Sequence, residues 1–385
     1  MPVFHAEVSE ETRKKLDDMK INLRKTEDRE LLEYFTKWWV EPGPIAETNA
    51  TTVKAWLDIW LDNTRLNLPE IERSRDVKEL FPVDEPYAGH AILIGGGPSI
   101  FEDDAQLRYI AENYHGGKIF CCDFAVKRVL ECGIKPTHIV SVDAEVGVVA
   151  KFLDYPIVRE KAKDVKFVLA VSSDPEAVKV VPGEKYFFTP AMDDRILPNV
   201  ALTIYRLTNK VMLNPAFNVG AFQWILSLNM HIKDVLMVGM DHCYPADTPL
   251  HKTQKWDSFI QIIGGKTFKN QDGTVDIEWP CSTCEVPPED CTEGKVCMEK
   301  LGSFFFVGRN TFFNTDFLCD SSWVTMKNAF LKIVDLAKED IRKRFNSEIT
   351  LYNATPTGIL FDEKLLPPIQ LQDWVKHHVG PKYIA

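Results

Sequence analysis

The sequence predicts an α/β fold built on a mostly parallel, Rossmann-like sheet, and two observations support that prediction. From His90 onward, short apolar runs alternate with amphipathic helical segments, a pattern that indicates βαβ units. The first run, Ala91–Ile94, leads directly into three glycines, a proline and a serine over Gly95–Ser99. A buried strand that ends in a glycine-rich turn ahead of a helix is typical of a loop that binds phosphate through backbone N–H groups.

Apolar periodicity places the elements of this alternating part in order. Strands are predicted over residues 91–94, 118–122, 138–142, 166–171 and 234–239, and helices over 103–114, 123–132 and 218–230. Further along, a long helix is predicted at about 321–345, and Leu351–Gly358 is predicted as a strand that runs into a polar turn.

The chain divides at shifts in composition. Residues 1–86 are predicted as a helical region, with helices near 9–40 and 48–63, that ends in a charged, proline-punctuated linker over Pro69–Pro86. Residues 87–360 form the predicted Rossmann-like domain, with a long, partly irregular insertion over 244–320, and residues 361–385 form a tail. The N-terminal helices carry Trp38, Trp39, Trp56 and Trp60. These tryptophans predict core packing or, alternatively, a homo-oligomer contact.

Composition narrows the functional classes. The chain has 385 residues, 45% of them apolar, and a net charge of −11, which disfavours a broad nucleic-acid surface. The apolar runs are short and broken by charge, which predicts no membrane span. The first residues lack a basic segment followed by an apolar one, so we expect a cytoplasmic protein.

The nine cysteines fall into two groups. One group lies in or beside apolar segments and is predicted as buried thiols: Cys121, Cys122, Cys132, Cys243 and Cys319. The other lies in a polar stretch with the spacing C-x2-C-x6-C-x5-C: Cys281, Cys284, Cys291 and Cys297. In a cytoplasmic chain a structural zinc site is favoured over disulfides, and free thiols stay open as an alternative to zinc.

Two familiar phosphate loops are excluded by single residues. A dinucleotide fingerprint starting at Gly95 needs glycine at position 100, which is Ile100. A P-loop ending at Gly265–Thr267 needs glycine where Ile260 stands.

Four segments, in this order, resemble the core of the MptE-like family: ILIGGGPSI, CGIKPTHIVSVDAE, NPAFNVGAFQWILSLNMHIKDVLMVGMDHCY and LYNATPTGI. That family includes archaeal 6-hydroxymethylpterin diphosphokinases and the motility-associated-factor (Maf) glycosyltransferases, which attach nonulosonic acids to flagellin. The resemblance covers roughly residues 88–243 and 310–360. It implies a Rossmann-like fold similar to that of bacterial sialyltransferases.

One segment separates the two branches of the family. The diphosphokinases typically carry Asp-Leu-Asp-Gly where this chain has Val142–Glu145, with the sequence Val-Asp-Ala-Glu. Paired aspartates there would hold Mg²⁺ against ATP phosphates. This chain keeps one aspartate and lacks the other, so the segment looks more like the Maf branch. That resemblance implies a glycosyltransferase with a nucleotide-activated donor, favoured as a CMP-sugar, and a hydroxyl acceptor. A diphosphokinase that uses ATP and Mg²⁺ is one alternative, and a non-catalytic nucleotide-binding scaffold is the other.

Ligands of parallel sheets bind beyond the carboxyl ends of the strands, so the polar residues there are the candidate site. Backbone and hydroxyl groups of the glycine turn are predicted to hold the donor phosphate: Gly95, Gly96, Gly97 and Ser99. Asp123 and Asn218 are predicted to contact the nucleotide or to cap helices. Asp143 is predicted to orient a ribose or to hold a metal, with a helix N-cap as the alternative.

The predicted catalytic groups follow the last strand. Asp241 and His242 end that strand, and His242 and His251 are candidate bases for an acceptor hydroxyl. Asn353 and Thr355 are predicted to close the site, or to form a structural turn.

Overall fold

The computed structural model describes residues 44–147, 149–191, 200–216, 218–253, 255–256, 260, 266–269, 275–278 and 304–379. The predicted helix over 9–40, Trp38, Trp39 and the four cysteines Cys281, Cys284, Cys291 and Cys297 lie outside these residues.

The described helices are numbered in chain order. They are α1 Pro44–Arg73, α2 Ser99–Glu102, α3 Ala105–Asn113, α4 Val126–Glu131, α5 Val149–Leu153, α6 Pro156–Lys161, α7 Pro175–Val180, α8 Val200–Thr208, α9 Val219–Asn229, α10 Ser321–Phe345 and α11 Leu371–Val379. Short 3-10 turns span Val77–Leu80 and Leu250–Lys252. No helix among the described residues combines the length and apolar content needed to cross a bilayer.

The described strands are numbered the same way. They are β1 Arg75–Asp76, β2 Ala88–Ile94, β3 Lys118–Cys122, β4 His138–Ser141, β5 Lys166–Ala170, β6 Glu184–Pro190, β7 Met212–Leu213, β8 Ile232–Val238, β9 Tyr244–Pro245, β10 Lys266–Lys269, β11 Val275–Glu278, β12 Phe305–Asn310, β13 Thr315–Asp320 and β14 Thr350–Asn353.

Nine of these strands form one sheet in the order β1-β6-β5-β4-β3-β2-β8-β14, with β7 also paired to β6. Every pairing in this sheet is parallel. The α/β fold with a parallel sheet and flanking helices is therefore confirmed. The chain runs outward from β2 through β3, β4, β5 and β6 and then returns to β8 on the other side of β2. The boundary between β2 and β8 is thus a topological switch point, where ligands bind in sheets of this kind.

Helices cover both faces of the sheet, so its central strands are apolar on both sides. Ile92 and Ile94 pack with Leu236 in one core, while Leu93 packs with Met237 in the core on the opposite face. All five side chains are fully buried. The rigid sheet therefore fixes the position of the loops that leave its carboxyl edge.

Helix α1 of the N-terminal region packs into the same core as the sheet. Leu57, Leu61 and Ile71 of α1 pack into the main cluster. The linker predicted over Pro69–Pro86 is wrong, since Pro69 lies inside α1 and β1 pairs with β6 at the end of the sheet.

The C-terminal residues predicted as a tail include α11, whose apolar side chains pack into the main cluster: Leu371, Trp374 and Val375. Within the predicted insertion, β9, β12 and β13 form a separate antiparallel sheet, and β10 pairs with β11.

Candidate functional site

The candidate site lies at the switch point, where the loops after β2 and β8 are joined by hydrogen bonds. Gly95 N–H donates to the Val238 carbonyl at 2.8 Å, and Gly97 N–H donates to the Gly239 carbonyl at 2.8 Å. A Cβ on Gly97 would collide with the carboxyl oxygen of Asp241 and approach the Gly239 carbonyl. Glycine is required here because the two loops touch backbone to backbone.

Asp241 is the buried acid at the centre of this junction. Its Oδ2 accepts a hydrogen bond from Ser99 Oγ at 2.9 Å, and its Oδ1 accepts from Ser99 N–H at 3.2 Å. Only 1% of Asp241 is exposed, and this burial raises the pKa of its carboxyl to about 7 despite the two hydrogen bonds. Near neutral pH, Asp241 can therefore both hold and release a proton.

Most hydrogen-bond donors of the glycine turn already donate to acceptors within the protein. The N–H groups of Gly95, Gly97 and Ser99 each donate to a protein acceptor, and so does the Ser99 hydroxyl. The phosphate-binding role of Gly95, Gly96, Gly97 and Ser99 stays a prediction, and it requires a ligand to replace some of these contacts.

His242 is fixed as a neutral hydrogen-bond donor by its neighbour Asn218. Asn218 Oδ1 accepts from Ala221 N–H at 2.9 Å as the N-cap of α9, so its Nδ2 is the group that faces His242 Nε2 at 3.3 Å. An amide donor on Nε2 leaves the ring proton on Nδ1, which is buried and has no hydrogen-bond partner in the described part of the chain.

Burial and backbone conformation set His242 apart from an ordinary surface histidine. Burial lowers the pKa of the ring to about 4, so the ring is neutral at pH 7. The residue has a left-handed φ of 49°, and its ring lies 5.1 Å from that of Trp323, centroid to centroid. Because its Nε2 lone pair is engaged and Nδ1 carries the proton, His242 is arranged to donate a hydrogen bond.

The loop after β14 supports the same junction from the C-terminal side. Thr355 Oγ1 accepts from Met240 N–H at 3.0 Å, and Asn353 Oδ1 accepts from Thr355 N–H at 2.9 Å. Both residues are buried, and Ile359 N–H donates to the Asp241 carbonyl at 3.2 Å. Asn353 and Thr355 therefore form a structural turn, which was the alternative predicted for them, and their role in closing the site stays a prediction.

A second acidic group lies after β3 and β4. Asp123 accepts from Ser141 Oγ and, at 2.7 Å, from Phe124 N–H, and its burial, with a smaller effect from Asp143, raises the pKa of its carboxyl to about 6. Asp123 does not cap α4, which begins at Val126 without a side-chain cap. Asp143 is exposed and accepts from Glu145 N–H at 3.0 Å. Two carboxyls thus lie at neighbouring strand ends, one buried and one open to solvent.

Helix α1 covers the neighbouring part of the sheet edge. Asn63 Nδ2 donates to the carbonyls of Ala144 at 2.8 Å and Ser172 at 3.1 Å. Asn67 Nδ2 donates to the carbonyls of Val171 at 3.2 Å and Ser173 at 2.8 Å. These bonds tie α1 to the loops after β4 and β5, while Asp143 in the first of these loops stays exposed.

The remaining predicted residues are not brought into this cluster by the described structure. His251 lies in the 3-10 turn Leu250–Lys252, and its side chain is outside the described residues. No group of three or more potential metal ligands occurs among the residues that were described. The five buried thiols were predicted correctly: Cys121, Cys122, Cys132, Cys243 and Cys319.

Sequence reasoning missed Ser141, Asn63 and Asn67. The two asparagines are four residues apart, so they occupy one face of α1, and Trp60 and Ile71 lie on the same face and pack in the main cluster. Two amides on a buried helix face are a signal that they bind backbone groups of another element. Ser141 is the last residue of β4 and was assigned to the strand alone.

The sheet, its switch point and the polar residues that meet there define an α/β domain of the Rossmann-like class. Within that class, residues 62–247 match the model of the MptE-like family, described as 6-hydroxymethylpterin diphosphokinase MptE-like. The resemblance is therefore confirmed over that segment. A diphosphokinase transfers a diphosphoryl group, so the match supports a transferase.

A solved structure, a Maf glycosyltransferase from Magnetospirillum magneticum AMB-1, is similar to this chain at 13% sequence identity and a TM-score of 0.49. The alignment covers 81% of this chain and 38% of that protein, so the chain spans less than half of its length. No curated protein matches the sequence.

Proposed function

We propose that this chain is a transferase that takes its donor as an activated nucleotide at the β2–β8 switch point, most specifically a glycosyltransferase acting from a CMP-sugar. The observation that carries the proposal is the Ser99–Asp241 pair. A buried carboxyl whose pKa is near 7 lies in hydrogen-bond contact with a hydroxyl beside a glycine turn. A proton acceptor with a pKa near the working pH is what activation of an acceptor hydroxyl needs.

In the proposed reaction, Asp241 accepts the proton of the acceptor hydroxyl, either directly or through the Ser99 hydroxyl. The acceptor oxygen then forms a bond to the anomeric carbon while the bond from that carbon to the nucleotide phosphate breaks. The electron pair of the broken bond leaves on the phosphate. His242 Nδ1–H, which has no partner among the described residues, is a donor that can stabilise this developing negative charge.

The choice of donor sugar and nucleobase in this proposal rests on the Val142–Glu145 segment, which resembles the Maf branch. Asp143 is the only aspartate of this segment and is exposed, in keeping with a role toward the donor ribose. Cytidine and a nonulosonic sugar are therefore the first donor to test.

A diphosphokinase is the second candidate, because Asp123 and Asp143 place two carboxyls at neighbouring strand ends. Carboxylate oxygens are the ligands that Mg²⁺ prefers, and one or two of them with substrate phosphates suffice. In this candidate function, Asp123 and Asp143 would hold Mg²⁺, which would neutralise charge on the ATP phosphates.

A thermal-shift screen tests the proposal with CMP, CDP, UDP, GDP and ATP, each with and without Mg²⁺. A ligand of the native state raises the melting temperature, and more so as its concentration exceeds its Kd. We expect CMP or CDP to stabilise the protein without metal. Stabilisation only by ATP together with Mg²⁺ would favour the diphosphokinase. No shift with any nucleotide would contradict both functions.

Ser99→Ala is the variant that tests the site in this screen, because it removes the Ser99 hydroxyl from the junction. Ser347→Ala is the matched control, since Ser347 lies before the amino end of β14, away from the carboxyl ends of the strands. We expect the nucleotide-induced shift to fall in Ser99→Ala and to stay unchanged in Ser347→Ala.

A further inference from the structure

Three phenylalanine rings, two exposed and one half-buried, form a cluster beside the glycine turn, and the hydrogen bonds of the site do not account for them. Phe124 follows Asp123, and its ring centroid lies 5.0 Å from that of Phe101 and 4.9 Å from that of Phe152. Phe124 is 47% exposed and Phe101 is 41% exposed. We call these three residues, Phe101, Phe124 and Phe152, the aromatic platform.

The aromatic platform touches the predicted phosphate loop. A Cβ on Gly96 would lie 2.8 Å from Cδ1 of Phe124, so the Phe124 ring lies against the backbone of the turn. Glycine at position 96 is what allows the ring to lie there. The position of the ring is fixed on its other sides by Phe101 and Phe152, and by the Phe124 N–H bond to Asp123 Oδ1.

Leaving large aromatic side chains in water forgoes the free energy of burying them, and a contiguous group of exposed apolar side chains marks a binding site. This group is small and adjoins polar groups at the strand ends: the buried carboxyl of Asp123, the Ser141 hydroxyl bonded to it and the exposed Asp143. A flat ring with polar edges matches this combination, because its face can stack on phenylalanine while its edge donates to carboxyl oxygens.

We infer that the aromatic platform binds the base of the donor nucleotide, with Phe124 as the stacking residue. The inference rests on the proposed function, since it assumes that the phosphate lies at the glycine turn. In a nucleotide the base is separated from the phosphate by one sugar. The Gly96–Phe124 contact places phosphate loop and ring side by side, as such a ligand requires.

The test is isothermal titration of wild type, Phe124→Ala, Phe124→Trp and Phe312→Ala. The ligands are CMP, UMP, GMP and AMP, with ribose 5-phosphate and inorganic phosphate as probes that lack a base. Phe312 is the matched control, because it is a phenylalanine with the same exposed fraction, 47%, on the β12–β13 hairpin. Phe124→Leu keeps apolar bulk without a ring face and replaces the alanine variant if that variant fails to fold.

Loss of a stacking ring weakens nucleotide binding on the order of 10- to 100-fold. We expect that loss for Phe124→Ala with the best-bound nucleotide, near wild-type binding for Phe124→Trp and Phe312→Ala, and unchanged binding of ribose 5-phosphate in all variants. Equal nucleotide binding by Phe124→Ala and wild type would overturn the stacking role and leave the proposed function standing. An equal loss for nucleotide and ribose 5-phosphate would also overturn it, as a structural effect. Absence of nucleotide binding by wild type would overturn both the inference and the proposed function.

Discussion

Replacing Asp241 by asparagine should change how the stability of the protein depends on pH. Asparagine has nearly the same shape as the protonated acid and still offers an oxygen to Ser99. In the native state burial raises the pKa of Asp241 from its ordinary value of 3.8 to about 7. Between these two values the native protein holds a proton that the unfolded chain has released. Stability therefore falls as pH rises through this range.

The size of the effect follows from the two pKa values. Integrated from pH 5 to pH 8, the linkage removes about 3 kcal/mol of unfolding free energy from wild type through this one group. Asp241→Asn lacks the titration, so it should lose none of that amount. Relative to wild type, the variant should be more stable at pH 8 than at pH 5 by about 3 kcal/mol.

Urea unfolding followed by circular dichroism at pH 5 and pH 8 measures this difference. Asp247→Asn is the control, because Asp247 is an exposed aspartate six residues further along the chain. Its pH dependence should follow that of wild type. If Asp241→Asn also parallels wild type, the carboxyl is not buried in the way described, and its role as a proton acceptor near neutral pH fails with it.

Three further predictions concern the same edge of the sheet. Asn63→Ala leaves two buried carbonyls without their donor and should lower the free energy of unfolding by about 1–3 kcal/mol, measured by urea unfolding. Asn67→Ala should behave alike, and no loss in either variant would contradict the covering role of α1. Gly97→Ala should lower the melting temperature because its Cβ would collide with the Asp241 carboxyl. Gly116→Ala should lower the melting temperature less, because its Cβ has open space and only its φ of +85° is strained. His242→Gln should keep the protein folded and lower the turnover number without moving the pH profile of turnover, since His242 acts as a hydrogen-bond donor; a shifted profile would instead identify His242 as the base.

Much of the sheet could be predicted because its strands are continuous apolar runs between clear punctuation. The run Ala91–Ile94 ends in glycines, and α10 spans Ser321–Phe345, the bounds that its periodicity predicts. Strand β6 was missed, since its apolar core is short and lies between two charged residues and Pro190. Strand β1 has only two residues and exists only through its pairing with β6.

The candidate site could be located from the sequence, but the state of its groups could not. Asp241 and His242 follow the end of β8 by three and four residues, which places them at the carboxyl edge of the sheet. The tautomer of His242 depends on Asn218, 24 residues away in sequence, and the raised pKa of Asp241 depends on burial beneath the loop of Ser99. Such properties arise from contacts between elements, which periodicity and motif spacing do not describe.

Hydrogen–deuterium exchange of the full chain, with and without the nucleotide that stabilises it most, tests the central claim most directly. Binding at the β2–β8 switch point should slow exchange in the glycine turn, in the turn around Phe124 and in the loop that carries Asp241 and His242. The segment from Asp335 to Tyr352, which lines a separate cavity of about 410 Å³ next to β14, should exchange as before. Protection confined to that cavity, with no change at the switch point, would contradict the account.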